Sequence, residues 1–206
     1  MAEQTSRGER RAMAMTTWIG KASAALRRHA HHPDPRVAMA NTVALLVASN
    51  QPFYPLYLYW TVSETIGPSI GTFLSTPLFL MVPALSRRDD RLGRAMLPIA
   101  GMANTLLCCK LFGVASGVEI FLIPCAVLAL VLFRPAERWI GFALVGIAAA
   151  AYFGLHDRYG APAHLYSPAE YAAFTSLNVF SASALTALVA LMTSNLLAEA
   201  EETSKR

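Results

Sequence analysis

The chain is polar for its first 35 residues and then alternates long apolar runs with short polar breaks. The runs cover residues 37–59, 66–85, 95–112, 120–133, 139–155 and 172–197. A helix needs roughly 20 largely apolar residues to cross the hydrocarbon core of a bilayer, with about 17 as the lower end, and five runs meet that length. The fourth is shorter. Either the turn at residues 113–117 and Glu119 sit at the interface and lengthen it, or it re-enters without crossing. The pattern predicts an all-α polytopic membrane protein built as a six-transmembrane helix bundle, with residues 36–198 in the transmembrane domain.

Both ends add to this frame. Before the first run, Trp18, Ile19, Ala22, Ala25 and Leu26 fall on one helical face while Lys21, Arg27 and Arg28 fall on the other. That spacing fits a basic amphipathic helix at the membrane surface or a solvated tail, so residues 1–35 form a basic N-terminal segment. Residues 1–11 have no apolar core of the kind a secretory signal requires. The sixth run has no Gly or Pro to stop it and continues through Asn195 into Glu199, Glu201 and Glu202. Residues 199–206 therefore read as the start of a coupling helix, whose output domain is expected downstream or on a separate partner.

Composition agrees with a lipid environment: of 206 residues, 55% are hydrophobic and 15% charged, with a mean hydropathy of +0.42. A soluble domain carries about 25% charged residues. The net charge of +4 is a matter of placement rather than a sign of nucleic acid. With the N-terminal segment in the cytoplasm, all of the 17 Lys and Arg except Lys110 and Arg158 fall on the same side, as the positive-inside rule requires. Both termini are then cytoplasmic. Tyr54, Tyr57, Tyr59 and Trp60 gather at the outer end of the first run and Trp139 at the inner start of the fifth, as interfacial anchors.

Polar residues at membrane depth are the candidates for function. Lys110 and Glu119 flank the turn between the third and fourth runs and are expected to approach each other, either as an interfacial ion pair or as ligand contacts. Asn104 and Asn178 are amides within runs, where interhelical hydrogen bonding is the ordinary role. Prolines at positions 52, 55, 77, 83, 98 and 124 can open space between helices. Gly67 and Gly71 have the spacing of a close helix contact.

Several chemistries are excluded. The sixth run holds no histidine for an intramembrane Ser-His protease, and the G-x-S-x-G match at residues 67–71 lacks the strand that a nucleophile elbow needs. His29, His31, His32, His156 and His164 all lie outside the apolar runs, which argues against a membrane haem. Cys108, Cys109 and Cys125 have no zinc spacing. No nucleotide-binding loop or metalloprotease motif is present. Neither a catalytic residue, a metal site nor a cofactor is expected in this chain.

The stretch from Phe112 through Gly113, Gly117, Glu119 and Pro124 to Cys125, followed by Phe133, Arg134, Pro135, Glu137 and Arg138, resembles the hexahelical membrane anchors of bacterial class III adenylate cyclases. Related anchors occur on quorum-sensing histidine kinases. Asn178 and the acidic exit at residues 197–202 share the resemblance, which covers residues 36–206. The cyclase metal-binding aspartates and transition-state residues are not found, so the resemblance implies a receptor module of a cyclase rather than the enzyme itself. It further implies a multi-pass protein of the bacterial inner membrane and a homodimer in contact through span six, with a cyclase or kinase domain as cytoplasmic partner. A small apolar ligand is expected in the outer half, at Asn104, Lys110, Glu119 and Asn178 with Tyr57 and Trp60 near the mouth. Asn195, Glu199, Glu201 and Glu202 would carry the signal, which is cAMP synthesis in a cyclase. A passive anchor or dimerisation domain is the alternative, and a small transporter the third reading.

Overall fold

A computed structural model describes Ala24 and residues 28–205, and among these it is helical with no strand. The expected amphipathic helix around Trp18 lies, apart from Ala24 and Arg28, outside the described residues. Helix α1, Pro35–Asn50, opens with Asp34 as N-cap, its carboxylate accepting from the Arg36 backbone N–H at 2.9 Å. Pro35 fits the first turn because its missing N–H has no helical partner there. Pro52 then prevents a straight continuation. A 3₁₀ turn, Gln51–Phe53, carries the chain into α2, Tyr54–Thr61.

The second apolar run folds as a short α3, Gly67–Ile70, a 3₁₀ segment Gly71–Ser75, and α4, Thr76–Ser86. Helix α5, Asp90–Phe112, is the longest element of the centre; Asp89 caps it by accepting from Arg91 N and Leu92 N. Gly113 ends it with φ 84° and Gly117 follows with φ 69°, a backbone region that side chains strongly disfavour. Two 3₁₀ turns, Val114–Ser116 and Val118–Phe121, lead into α6, Leu122–Val131. A 3₁₀ turn Pro135–Glu137 precedes α7, Arg138–Leu155.

Helix α8, Pro168–Lys205, runs 38 residues without a break. At 1.5 Å per residue that is roughly 57 Å, nearly twice the ~30 Å hydrocarbon core. The helix therefore projects well beyond any bilayer it crosses.

Helix α5 is central and packs against α1, α4, α6 and α7. Met39, Val43, Phe79, Leu97, Leu132, Leu144 and Val189 belong to the larger core. A second core at the opposite end joins Leu58, Phe112, Val118, Tyr166 and Phe174. One end of the bundle carries Asp34 and the basic residues of the 87–94 and 134–138 segments; we call it the basic end, and the other the far end. Helix α8 packs against α2, the two 3₁₀ turns after α5, and α6.

Among the described residues, four helical stretches are long and apolar enough to cross a membrane: Gly67–Ser86, Asp90–Phe112, Pro135–Leu155 and Pro168–Glu202. Val118–Val131 is apolar but shorter, and the run from Pro35 to Thr61 is divided at Pro52. The outward surface is strongly apolar, with Phe153 81%, Leu165 75% and Phe180 73% exposed. A water-soluble monomer rarely carries so much contiguous apolar surface, whereas lipid accepts it.

Candidate functional site

The far end is built by the turns around Gly113 and Gly117, the loop between α7 and α8, and the start of α8. Its apolar body is aromatic. Phe112 lies 5.1 Å from Phe174 between ring centroids, Tyr166 5.0 Å from Phe174, and Tyr54 6.0 Å from Phe112. These rings come from four segments, so the cluster ties the end of α5 and the start of α2 to α8.

Glu119 and Lys110 do not pair, contrary to the sequence expectation. Lys110 Nζ donates instead to the carbonyls of Tyr159 at 3.1 Å and Ala161 at 2.8 Å. Glu119 Oε2 lies 2.6 Å from His156 Nδ1. The chain after α7 supplies both partners: the Tyr159 and Ala161 carbonyls take Lys110, and the His156 ring takes Glu119. The Glu119 side chain is only 7% exposed and that of His156 40%. The hydrogen bond to the Glu119 carboxylate raises the His156 pKa above 6.5, opposed by partial desolvation and supported by the nearby charges of Glu119 and Asp157. Burial pushes the Tyr159 phenol well above its ordinary value, with Cys109 and Glu119 adding to the rise.

Asn178 is 1% exposed, and its Nδ2 donates to the Ser116 carbonyl at 2.9 Å. Thr175 Oγ1, one turn earlier on α8, lies 3.4 Å from the Ala115 carbonyl. An irregular backbone at this depth needs such partners, and α8 supplies them. A Cβ on Gly117 would stand 3.2 Å from Thr175 Oγ1 and Cγ2, which leaves the Gly117 backbone in direct contact with α8.

Asn104 belongs to a different group, between α1, α4 and α5. Its Oδ1 accepts from Ser75 Oγ at 2.6 Å, while Gln51 Nε2 donates to the same Ser75 oxygen at 2.6 Å and Thr76 Oγ1 donates to Gln51 Oε1. Tyr57 is exposed and donates to Asn50 Oδ1 at 3.3 Å; Trp60 is 70% exposed. Asn195, Glu199, Glu201 and Glu202 are exposed along the last turns of α8. The structure thus brings Lys110, Glu119 and Asn178 into one region and leaves Asn104, Tyr57, Trp60 and the α8 exit in others.

Sequence reasoning missed the basic end as a structured site. Arg94 is 2% exposed. Its Nη1 donates to Glu137 Oε2 at 2.8 Å and to the Leu132 carbonyl at 2.9 Å, and Nη2 reaches Glu137 Oε1 at 3.3 Å. Arg91 Nε donates to the same carboxylate at 2.7 Å, and Arg134 Nη2 to Asp34 Oδ2 at 2.7 Å. A cleft of about 220 Å³ opens between these charges. Glu137, the only acid among residues 134–138, was the available signal for this cluster.

An all-helical bundle with lipid-suited surfaces, polar clusters at both ends and an exit helix has its counterpart among known families. Residues 26–205 match the MASE7 family, a family of membrane-associated sensory domains. The chain belongs to MASE7. No curated protein and no solved structure matches it. As a MASE7 domain it is a multi-pass membrane protein with a sensory role, and the lipid bilayer is its surroundings. The expected resemblance to sensory membrane anchors is met at this level, and the match extends to Lys205 on the exit helix.

Proposed function

We propose that this MASE7 domain is the receptor module of a bacterial signalling protein, with a class III adenylate cyclase as its output. Six spans cross the inner membrane, the basic end and both termini face the cytoplasm, and the segments 35–61 and 118–131 supply the first and fourth spans. A small apolar ligand in the far half changes the pose of α8, and the acidic residues of its last turns pass that change to the output domain. This chain itself carries no catalytic step. Homodimers form through α8, so that a rotation or shift of the two helices is read by paired output domains.

The observation that carries this reading is α8 itself. One unbroken helix is hydrogen-bonded to the irregular far-end turns through Thr175 and Asn178 and extends beyond bilayer length to Glu199, Glu201 and Glu202. A ligand acts on such a helix only if it binds one pose more tightly than another. To test it, residues 1–206 are fused in frame to a class III cyclase catalytic domain, expressed in a cyclase-deficient bacterium, and cAMP is measured while lipidic extracts are screened. Ligand-dependent output that Asn178→Leu abolishes is the expected result. Output that no extract changes, and that Asn178→Leu and Glu119→Ala leave intact at equal expression, would overturn the receptor in favour of a passive anchor.

A further inference from the structure

Two polar contacts fasten the strap that leaves α7. Glu119 holds it at His156, and Lys110 holds it at the carbonyls of Tyr159 and Ala161. The first of them can respond to acidity, because an imidazole changes charge near neutral pH. His156 is partly open to water, and Glu119 is shielded behind it. The Tyr159 hydroxyl is buried beside the same carboxylate and the Cys109 thiol. A cation beside a buried carboxylate offsets the cost of its desolvation.

Other groups around the imidazole set the sign. Asp157, on the strap itself, places Oδ2 3.7 Å from His156 Nε2 and favours the protonated ring. Helix α7 contributes the Tyr152 ring at 5.3 Å. From α5 come the Cys109 thiol beside Tyr159 and the Lys110 ammonium, which is engaged with carbonyls. Arg158 on the strap is exposed. On α8, Glu170 is turned to the Ser167 backbone, and the Tyr171 hydroxyl lies toward Gly113.

Glu119 also sits three residues from Ser116, whose carbonyl α8 holds through Asn178. Gly113 and Gly117 bracket residues 114–116 with positive φ and supply pivots on either side of Ser116. We propose that the Glu119–His156 pair is a proton-operated latch through which acidity on the far side of the membrane sets the pose of α8. At low pH the imidazolium is bound and the strap is closed on the 118–121 turn. As pH rises, the ring releases its proton to water, the ion pair is lost, and the turn moves with α8. The latch rests on the reading of α8 as the output element and of the far end as extracytoplasmic.

The test uses the full chain in phosphatidylcholine nanodiscs. Ring-labelled histidine NMR, with His156→Gln to assign the signal, gives the midpoint of His156. Spin labels at Ala161→Cys and Ser176→Cys report the strap-to-α8 distance. The expected result is a midpoint above 6.5, a distance change with the same midpoint, and no such change in His156→Gln. Glu119→Gln lowers the midpoint, and Lys110→Gln alters the distance at every pH without abolishing the titration. A wild-type midpoint at or below 6.5, or a distance distribution that is flat across it, overturns the latch even if Glu119→Gln fails to fold. An α8 that moves with pH while the cyclase fusion stays silent sinks the output reading alone; a ligand-responsive fusion with a pH-independent α8 sinks the latch alone.

Discussion

Arg94 and Glu137 meet as a bidentate pair, with guanidinium nitrogens 2.8 and 3.3 Å from the two carboxylate oxygens. The pair joins the start of α5 to the turn before α7. Arg94 also stacks 5.2 Å from the centroid of the Phe133 ring, so its charge is screened from water on several sides. Removing one partner of such a pair is worse than replacing both, because the remaining charge keeps its desolvation cost.

Arg94→Ala is accordingly expected to lower unfolding stability by about 3–5 kcal/mol, the range for an orphaned buried ion. Arg91→Ala, at a side chain 66% exposed, should cost about 1 kcal/mol or less. The double change Arg94→Met with Glu137→Leu should recover most of the loss. Denaturant unfolding of the purified protein in detergent distinguishes the three; an Arg94→Ala protein as stable as Arg91→Ala would show that the pair is not structural.

Close packing of α4 on α5 makes a second prediction. A Cβ on Gly93 would fall 2.0 Å from Ser86 Oγ and 2.7 Å from Ser86 Cα, and backbone cannot yield as a flexible side chain does. Gly93→Ala should therefore destabilise by about 1–3 kcal/mol. Gly146, with nothing within 4 Å of its Cβ position, is the control. Gly146→Ala should be neutral, or more stable by up to about 1 kcal/mol through helix propensity. Equal melting temperatures for the two variants would contradict the packing.

The contrast between these sites explains what the sequence made legible. Spans, their polar breaks and the uninterrupted α8 follow from local composition, and a stretch such as 172–197 states its own environment. Asn178 was identifiable because an amide at membrane depth needs a partner. The partner itself, the Ser116 carbonyl, depended on a turn whose shape comes from two glycines at positive φ. Glu119 was identifiable as a buried acid, yet its counter-ion comes from 37 residues away along the chain. Proximity in sequence favoured Lys110, and nothing local shows that the strap after α7 supplies a partner to each of them. The basic end was hidden for another reason: Arg94 reads as one more loop charge until Glu137 is folded against it.

Asn178→Leu tests the link between the far-end turns and α8. Interhelical hydrogen bonds in membrane proteins contribute about 0.6–2 kcal/mol, so the fold should survive. What should change is local: amides of residues 114–121 should exchange faster with deuterium while those in the middle of α5 keep their protection. Unchanged exchange at 114–121 would mean that α8 does not hold the turn.

Asp34 provides the pH prediction at the basic end. Burial alone would raise its pKa, but the hydrogen bond from Arg36 N and the charges of Arg134 and Arg94 outweigh it and hold the carboxyl below 3.8. A folded-state pKa below the unfolded value means that the contribution is complete above the unfolded value and is lost as pH falls through the depressed one. Wild type should thus exceed Asp34→Asn in stability at neutral pH, and the difference should shrink as acid protonates Asp34 in the folded state. Paired unfolding curves of the two proteins from pH 7 downward check this. A gap that stays constant to pH 3, or widens there, would show that the carboxylate charge is not what joins the N-cap of α1 to Arg134.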